Sequence, residues 1–470
     1  MIGLSKTKIK TPSNNKLGGR ILFNMILFGF MGQVAWNVEN MFFNTFLFNS
    51  VYADAPQTAV DGTLGVVSAI NIMVAASAAT AVITTFIMGA LSDRLRRRKL
   101  FISVGYMIWG VTVGVFGVIT KDNTAALFHL SDPVKILAAT VTIVIVMDCV
   151  MTFMGSTAND SAFNAWVTDV TTIHNRGTAE SILAIMPIGA MVIVMALAGM
   201  IGAIGYSAFF LGLGAMVLLC GVVGIFTLKD SLDGERVSGG NYFAELIYGF
   251  RPSVVKENSR LYLTLVSAAV FNIAVQVFFP YIFIYLQHGL GLDLNALLAS
   301  LTPAKIAVAL VAVIAVVAAI IGIGKLVDKY GKKNFILVSV LLFMAGLFAA
   351  FFADTLLKFL VCIVPALIGY GMLMIMFNAA IRDFTPEDKV GLFQGVRMIF
   401  IVLLPMVIGP TIGNFTIRYF ETVPYTNDYG IVTECPGRSM FMAAAVVSLM
   451  IFLPVLILRK KGIDVKENKK

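Results

Sequence analysis

The chain has 470 residues, of which 59% are hydrophobic and only 13% are charged. A soluble protein has about 45–50% apolar and about 25% charged residues, so this composition excludes a soluble protein and indicates one that lies in a lipid bilayer. The formal net charge of +9 falls in loops between apolar segments, where it predicts contact with anionic lipid and no nucleic-acid partner.

Apolar segments recur along the whole chain, each near the ~20 residues that a helix needs to cross ~30 Å of hydrocarbon. The segment before Arg20 is polar and basic, and the first apolar segment is too long and too polar to belong to a cleaved signal peptide. We therefore predict an all-α integral membrane protein with twelve transmembrane helices. These spans 1 to 12 are expected at residues 21–48, 64–90, 100–119, 136–166, 180–202, 205–227, 261–286, 299–323, 335–353, 356–380, 393–417 and 439–458.

Lysine and arginine are distributed unevenly between the two sides of the membrane. The two tails and the loops 2–3, 4–5, 6–7, 8–9 and 10–11 hold 29 of the 35 basic residues. Because cytoplasmic loops carry the excess of basic residues, we expect a multi-pass protein of the cell membrane with both termini in the cytoplasm.

Span 1 carries a stripe of amides. Gln33, Asn37, Asn40 and Asn44 fall at i, i+4, i+7 and i+11, which keeps them within a ~60° arc of the helix. A bare amide that faced lipid would cost several kcal/mol. We expect this face to line a cavity that binds solute, the alternative being hydrogen bonds between packed helices. Trp36, one turn from Asn40, is a candidate for stacking on the solute or for packing.

Glu39 lies in the same span, some 130° from the amide stripe by helical geometry. It is expected to face the packed interior of its own half of the molecule or a break in the helix. A carboxylate within a membrane is a functional candidate by default, so Glu39 is a candidate for proton coupling. A structural hydrogen bond or ion pair is the alternative.

The loop after span 2 reads GALSDRLRRRK from Gly89 to Lys99. Asp93 can bond exposed helix N-termini or basic groups of the other half, and Arg94, Arg97 and Arg98 can meet C-terminal carbonyls and acids. Such contacts exist only while the cytoplasmic side is shut, so these residues predict a conformational latch between two access states. Simple anchoring by positive charge is the alternative.

Span 4 adds further polar groups, within about 120° of one another. About 18 Å of helix separates Asp148 from Asp160, so these two carboxylates cannot share one proton or ion. Each is a candidate for cation coupling or solute binding, and Thr152 and Asn159 are candidates for binding the solute.

Residues 229–260 are rich in both charges and predict a cytoplasmic linker. They separate an N-terminal bundle of residues 1–228, the first half, from a C-terminal bundle of residues 261–470, the second half. Span 7 opens the second half and places Asn272 and Gln276 on one arc with Phe279 and Phe283, which makes the two amides candidates for binding the solute.

The second half repeats landmarks of the first. NMFF in span 1 matches QVFF in span 7, the loop after span 2 matches GKLVDKYGKKN after span 8, and FNA after span 4 matches FNA after span 10. Two parallel six-helix halves imply a solute site near the midplane between them. The repeat adds weaker latch candidates, which are Gly324, Asp328, Lys329 and Asp383.

With twelve spans, an internal repeat and the loop motif GALSDRLRRRK, the whole chain resembles the major facilitator superfamily of transporters. The resemblance implies the fold of that superfamily, with two pseudo-symmetric halves that alternate access across the membrane. One departure is Arg96, where the motif has its second glycine; Gly331 keeps that glycine in the repeat.

Span 4 is also similar to the glycoside-pentoside-hexuronide (sugar):cation symporters through DSAFNAWVTD, residues 160–169. This similarity implies that Asp160 helps to bind the coupling cation. The family's proline is Ala162 here, and its two acids of helix 2 correspond to Ala81 and Thr85. We therefore expect H⁺ as the coupling ion in preference to Na⁺.

These observations predict a secondary active transporter that imports a small neutral polar solute, such as a sugar or glycoside, together with protons. The alternatives are a proton-antiport exporter of drugs or metabolites and, more remotely, a membrane sensor that does not transport. No partnered nucleophile, phosphate loop or metal spacing is found in the sequence, so we expect no enzymatic activity, no cofactor and no metal. We expect a monomer whose partners are its solute and the lipid bilayer.

Overall fold

The computed structural model describes residues 17–95, 97–171, 176–199, 201–230, 249–293, 296, 322, 330–386, 390–420, 424–427 and 429–463. Ten helices within these residues are long and apolar enough to cross a membrane. They are Gly19–Val51, Val66–Gly89, Arg98–Val118, Pro133–Val170, Ile201–Thr227, Ser259–Gly289, Lys332–Phe351, Leu356–Phe384, Gly395–Phe420 and Ser439–Lys461.

These ten helices correspond to spans 1 to 4, 6, 7 and 9 to 12, and helix Arg176–Ala198 occupies the position of span 5. The predicted span 8 lies outside the described residues. The prediction of an all-α membrane protein is confirmed.

Several spans contain π-helical turns, in which each hydrogen bond encloses one more residue than in an α-helix. They lie at Glu39–Phe43 and Leu47–Val51 in span 1, Ser156–Phe163 in span 4, Tyr285–Gly289 in span 7 and Ile399–Leu403 in span 11. Because a π-turn inserts a residue, the constant 100° step of an ideal helix does not hold beyond it. The arc predicted for span 1 therefore holds only as far as Glu39.

Spans 3 and 6 of the first half approach each other through glycine. A Cβ added at Gly214 would lie 2.5 Å from the Gly110 carbonyl oxygen, and one added at Gly110 would lie 2.3 Å from the backbone nitrogen of Leu218. Small residues allow such backbone contact in membranes, where dispersion between packed atoms replaces the hydrophobic effect. In the same half, span 1 packs against span 5, and span 2 packs against span 4.

The second half uses the same device. Span 9 packs on span 10 where Gly346 faces Ala366, and span 11 packs on span 7 where Gly409 faces Gln276. Span 12 covers spans 7 and 9. Glycine at these positions fixes the helices at short distance and leaves little freedom for one helix to slide within its half.

Among the described residues, the contacts between the halves include two pairs of spans. Span 2 packs against span 11, where a Cβ at Gly395 would touch the ring of Phe86. Spans 1 and 7 meet through the rings of Phe42 and Phe283, whose centroids are 6.0 Å apart.

We call the side of the molecule on which span 1 ends and span 2 begins the far face. Short elements cover it, which are the helices Gln57–Asp61 and Lys121–Phe128 and a β-hairpin between spans 11 and 12. In the hairpin, strand β1 (Pro424–Thr426) pairs antiparallel with strand β2 (Val432–Glu434). Helix Pro252–Glu257 leads into span 7 on the opposite side.

The close contact between spans 3 and 6 predicts a specific loss of stability. Gly214→Ala forces two backbones apart, and overpacking of this kind costs about 1–3 kcal/mol. We expect the thermal unfolding midpoint of the detergent-solubilised protein to fall by about 2 °C or more.

Gly212→Ala is the matched control, since Gly212 is exposed on the same helix and an added Cβ there meets nothing within 4 Å. Equal melting behaviour of the two variants would show that the glycine contact between spans 3 and 6 is not tight in solution.

Candidate functional site

The amide stripe of span 1 differs along its length. Gln33, Asn37 and Asn40 are half-buried, whereas Asn44 is 1% exposed. Asn40 donates to the carbonyl of Trp36 (2.8 Å), and Asn44 donates to the carbonyl of Asn40 (2.9 Å). Within the described part of the chain, the amides of Gln33 and Asn37 have no protein partner. These two groups are therefore free to bind a solute or water.

Span 7 presents the matching amides of the second half. Asn272 is half-buried and its Nδ2 donates to the carbonyl of Ala268 at 2.9 Å, which leaves the amide oxygen available. Gln276 is also half-buried, and its side chain leaves span 7 beside Gly409 of span 11. Both halves thus carry amides that are neither fully exposed nor fully packed.

Asn159 of span 4 belongs to a hydrogen-bond network inside the first half. It is 5% exposed. Its Nδ2 donates to the hydroxyl of Tyr106 (2.7 Å), which in turn donates to the Phe28 carbonyl (2.6 Å). Its Oδ1 accepts from Trp36 Nε1 at 3.4 Å. Spans 1, 3 and 4 are joined by this network, so Asn159 holds Trp36 in place from within the packed bundle.

Trp36 itself is half-buried and packs on Trp109, with ring centroids 5.0 Å apart. A Cβ at Gly155 of span 4 would touch both rings. One face of the Trp36 indole is thus fixed by its neighbours, in a span whose amides remain available.

Glu39 faces the interior of the first half and is 8% exposed. Its Oε1 accepts hydrogen bonds from Ser77 Oγ of span 2 (2.6 Å) and from Thr152 Oγ1 of span 4 (2.9 Å), and these two hydroxyls lie 2.8 Å apart. Thr152, a sequence candidate for solute binding, is 1% exposed and makes its described contacts with this cluster.

Asp148 lies one helical turn before Thr152 and is 2% exposed. The Ser77 hydroxyl and the Glu39 carboxylate are its electrostatic neighbours. Glu39 Oε2 and Asp148 Oδ1 are both buried without a hydrogen-bond partner. The sequence indicated the two acids separately and did not bring them together, because the cluster around Glu39 depends on Ser77, which belongs to no motif.

Asp160 has a separate environment in the π-helical turn of span 4. It is half-buried, and its Oδ2 accepts from Ser156 Oγ of its own helix at 2.9 Å. This local cap distinguishes Asp160 from the Glu39 cluster, in which the donors come from other spans.

The loop residues predicted to form a latch make their described contacts within one half. Arg98 pairs with Asp169 at the end of span 4 (3.1 Å) and donates to Ser92 (2.5 Å). Asp383 pairs with Lys332 at the start of span 9 (2.6 Å). Arg97 is exposed and Gly89 is half-buried. The side chains of Asp93 and Arg94 and the residues Gly324, Asp328 and Lys329 lie outside the described part.

The far face is closed by contacts between the halves. Asn49, near the end of span 1, donates to Gln287 Oε1 of span 7 (3.1 Å), and its Oδ1 lies 2.7 Å from His288 Nε2. An amide oxygen only accepts, so the imidazole donates this bond. Rings of Phe48 and Tyr425 flank His288, with centroids 5.0 and 4.7 Å away.

The hairpin extends this closure. Gln57 accepts from the backbone nitrogen of Val432 (2.9 Å) and donates to its carbonyl (3.2 Å), so its amide acts like a paired strand residue. Asn427 donates to the carbonyl of Ala53 at 2.5 Å. Arg418 contacts Ser68 of span 2 and Glu434 of the hairpin, each at 3.3 Å. None of these residues was a sequence candidate, since isolated polar residues at span ends show no motif.

The sequence matches the family model of the Major Facilitator Superfamily at residues 40–321 and 299–470. None of the curated proteins matches it. The solved structures that share the fold at low sequence identity include a mutant of the nucleoside transporter NupG, a bacterial homolog of the human lysosomal transporter Spinster, inward-facing and unoccupied, and a D-xylose-proton symporter.

The NupG mutant is 11% identical, with a TM-score of 0.64 over 93% of this chain and 99% of that chain. The Spinster homolog is 12% identical, with a TM-score of 0.60 over 94% of this chain and 97% of that chain. The D-xylose-proton symporter is 14% identical, with a TM-score of 0.63 over 92% and 97%.

Asn49 predicts a test of the far-face closure. Asn49→Ala removes two hydrogen bonds between the halves, each of which contributes about 0.5–1.5 kcal/mol. We expect the closed state to lose roughly tenfold in preference. Hydrogen–deuterium exchange at residues 53–65 and 429–435 should accelerate accordingly.

Asn123→Ala is the control, because Asn123 is on the same face and its side-chain amide donates to the Val118 carbonyl of its own half. If both variants exchange at the wild-type rate, the Asn49 contacts do not hold the far face shut.

Proposed function

The chain belongs to the Major Facilitator Superfamily, and from this premise we propose that it is a secondary active transporter. We propose that it alternates access between the two sides of the membrane and imports a small neutral polar solute, such as a sugar or glycoside, with protons. The far face is then the outer side, as the distribution of basic residues predicts.

The observation that carries this proposal is that contacts between the halves close the far face while two amides have no partner among the described residues. Asn49, Gln287 and His288 join the halves at one end. Deeper in span 1, Gln33 and Asn37 are half-buried and unpaired among the described residues. A packed bundle would satisfy such groups or replace them, because an unsatisfied amide costs several kcal/mol in hydrocarbon.

The chemistry of these groups supports a neutral, hydroxylated solute. An amide offers one acceptor oxygen and two donor hydrogens, which suits hydroxyl groups that donate and accept. Trp36 adds an aromatic face for the C–H side of a ring. Solved structures of the same fold include a nucleoside transporter and a D-xylose-proton symporter, so nucleosides and sugars are the first solutes to test.

Proton coupling is proposed because three carboxyls lie within the spans without a described cationic partner. Glu39 and Asp148 are almost fully buried, and Asp160 is half-buried. A lone carboxylate in such surroundings is unfavourable by several kcal/mol, whereas a carboxyl that takes up a proton becomes neutral. The uptake and loss of this proton can therefore accompany the change of access state.

The solute site predicts the behaviour of the amide stripe. Purified protein should gain thermal stability with a sugar or nucleoside that it binds. Asn37→Ala and Gln276→Ala should each lower the affinity for that solute about tenfold, through the loss of one buried hydrogen bond. Asn334→Ala is the control, since Asn334 is exposed and bonds to Tyr330 of its own loop.

If the Asn37 and Gln276 variants keep the wild-type affinity for the solute, the amides of spans 1 and 7 do not belong to the solute site. A screen over sugars, nucleosides, amino acids and drugs that stabilises only with drugs would favour the exporter.

Proton coupling predicts uphill uptake in proteoliposomes when the outer side is acidic. Accumulation of the solute identified in the thermal screen should rise with the pH gradient and stop when an uncoupler dissipates that gradient. Uptake that follows a Na⁺ gradient and ignores pH would contradict proton coupling. Binding without any uptake would indicate a sensor.

A further inference from the structure

We propose that Glu39 and Asp148 form one two-carboxyl site for the coupling proton, that Ser77 of span 2 positions it, and that Asp160 lies outside it. This inference rests on the proposed function and assigns its coupling step to one cluster. Ser77 is not part of any sequence motif, and its role follows from the contacts of spans 1, 2 and 4.

The carboxyls of Glu39 and Asp148 have few hydrogen-bond donors around them. Ser77 and Thr152 each have one hydroxyl hydrogen, and both hydroxyls point at the same acceptor, Glu39 Oε1. Glu39 Oε2 and Asp148 Oδ1 are buried and receive no hydrogen bond. Two carboxyls therefore share two hydroxyl donors, and two of their four oxygens receive no hydrogen bond.

The negative charge of Glu39 and Asp148 has no described cation to balance it. Neither Glu39 nor Asp148 forms an ion pair with a described lysine, arginine or histidine, and neither has any further unassigned contact. With both groups ionised, two negative charges would be buried in one cluster, because Asp148 lies one helical turn from Thr152, whose hydroxyl bonds to Glu39. Like charges at a shared site prevent full ionisation of both groups. The site is thus completed by a positive ion, and a proton held by one of the unpartnered oxygens supplies it.

The distances between the oxygens of the cluster fit shared hydrogen atoms better than a metal ion. The Ser77, Thr152 and Glu39 oxygens lie 2.6–2.9 Å from one another, which are hydrogen-bond distances with hydrogen atoms between the oxygens. Oxygens that share a metal ion at ~2.4 Å stand further apart than this. Around the described residues, no group of three or more His, Cys, Asp and Glu could hold a metal.

Two further titratable groups face the pair among the described residues. They are Asp160 and Cys149, both of span 4. Asp160 has its own donor in Ser156 at 2.9 Å and is about 18 Å of helix away from Asp148. It influences Glu39 through space but cannot share the same proton.

Ser77 also gives the pair a link to the other half. It lies on span 2, which packs along span 11, and Thr411 of span 11 donates to Asn71 of span 2 at 3.2 Å. The hydrogen bond from Ser77 strengthens when Glu39 is charged, because charged acceptors bind donors more strongly than neutral ones. A change of protonation therefore alters the force between spans 1 and 2 beside the interface of the halves.

The test uses infrared spectroscopy of the full-length protein in liposomes, titrated with pH in the absence of solute. The C=O stretch of protonated carboxyls reports protonation directly. We expect Glu39→Gln and Asp148→Asn each to abolish the same titrating component, and the double variant to lose no more than either single one. Asp160→Asn should leave that component in place.

Ser77→Ala should move the titration of this component toward higher pH, because the charged form of Glu39 loses a donor, and Ser77→Thr should restore it. Thr140→Ala is the control on span 4, since this buried hydroxyl bonds to the Ile136 carbonyl of its own helix. Normal thermal unfolding of each variant excludes misfolding as the cause.

Additive losses from Glu39→Gln and Asp148→Asn would overturn the shared site, and an unchanged titration in Ser77→Ala would overturn its positioning role. If addition of NaCl at constant pH removes the C=O band of the protonated carboxyls, the site binds Na⁺ in place of the proton. These infrared readouts do not require transport. If the titrating C=O component depends on both acids but proteoliposomes show no uptake, the result counts against the proposed function and not against the shared site.

Discussion

The absence of water in the hydrocarbon core is the constraint on which the rest of this structure depends. Every polar group in a span must be satisfied inside the protein or must face a cavity. Most hydroxyls meet this requirement within their own helix, as Thr140, Thr264 and Ser339 do by bonding to the carbonyl four residues earlier. Some buried hydroxyls join several spans instead, as Ser77 and Thr152 do at Glu39. Others in the described spans, such as Thr85, Ser103 and Ser161, have no hydrogen-bond partner.

The two halves share a fold but divide the chemistry between them. By the repeat offset that matches NMFF to QVFF, Glu39 corresponds to Val275, and by the offset that matches the two FNA segments, Asp148 corresponds to Cys362. Among the described residues, the first half therefore holds the buried acids Glu39 and Asp148, while both halves hold amides and glycine contacts. Under the proposed function, such a division lets one half respond to protons while both halves contribute to a solute site.

Much of the fold could be predicted from the sequence because length and hydropathy decide which segments cross a bilayer. The polar stripe was found for the same reason, since an amide among apolar residues is conspicuous. The link between Glu39 and Asp148 was hidden, because Ser77 looks like any serine that bonds to its own helix. The π-helical turns carry no residue pattern that identifies them. The arc predicted with a constant 100° step therefore does not hold for residues of span 1 beyond Glu39.

The far face could not be predicted because its contacts join residues that are distant in sequence and individually unremarkable. Gln57 and Val432 meet only because spans 2 and 11 pack together, and the same is true of Ser68 and Arg418. Asn159 shows the converse case. Its place on the polar side of span 4 suggested solute, whereas Tyr106 and Phe28 engage its amide from a neighbouring span and from span 1.

Distances between spin labels on the two sides of the membrane test the alternation of access most directly. One pair of labels would replace Thr58 and Tyr429 on the far face, and a second would replace Arg97 and Asn334 on the opposite side, all four being exposed. Double electron–electron resonance across a range of pH should show the first distance lengthen as the second shortens. Two distances that stay fixed, or that change in the same direction, would contradict the rocking of two halves around a central polar site.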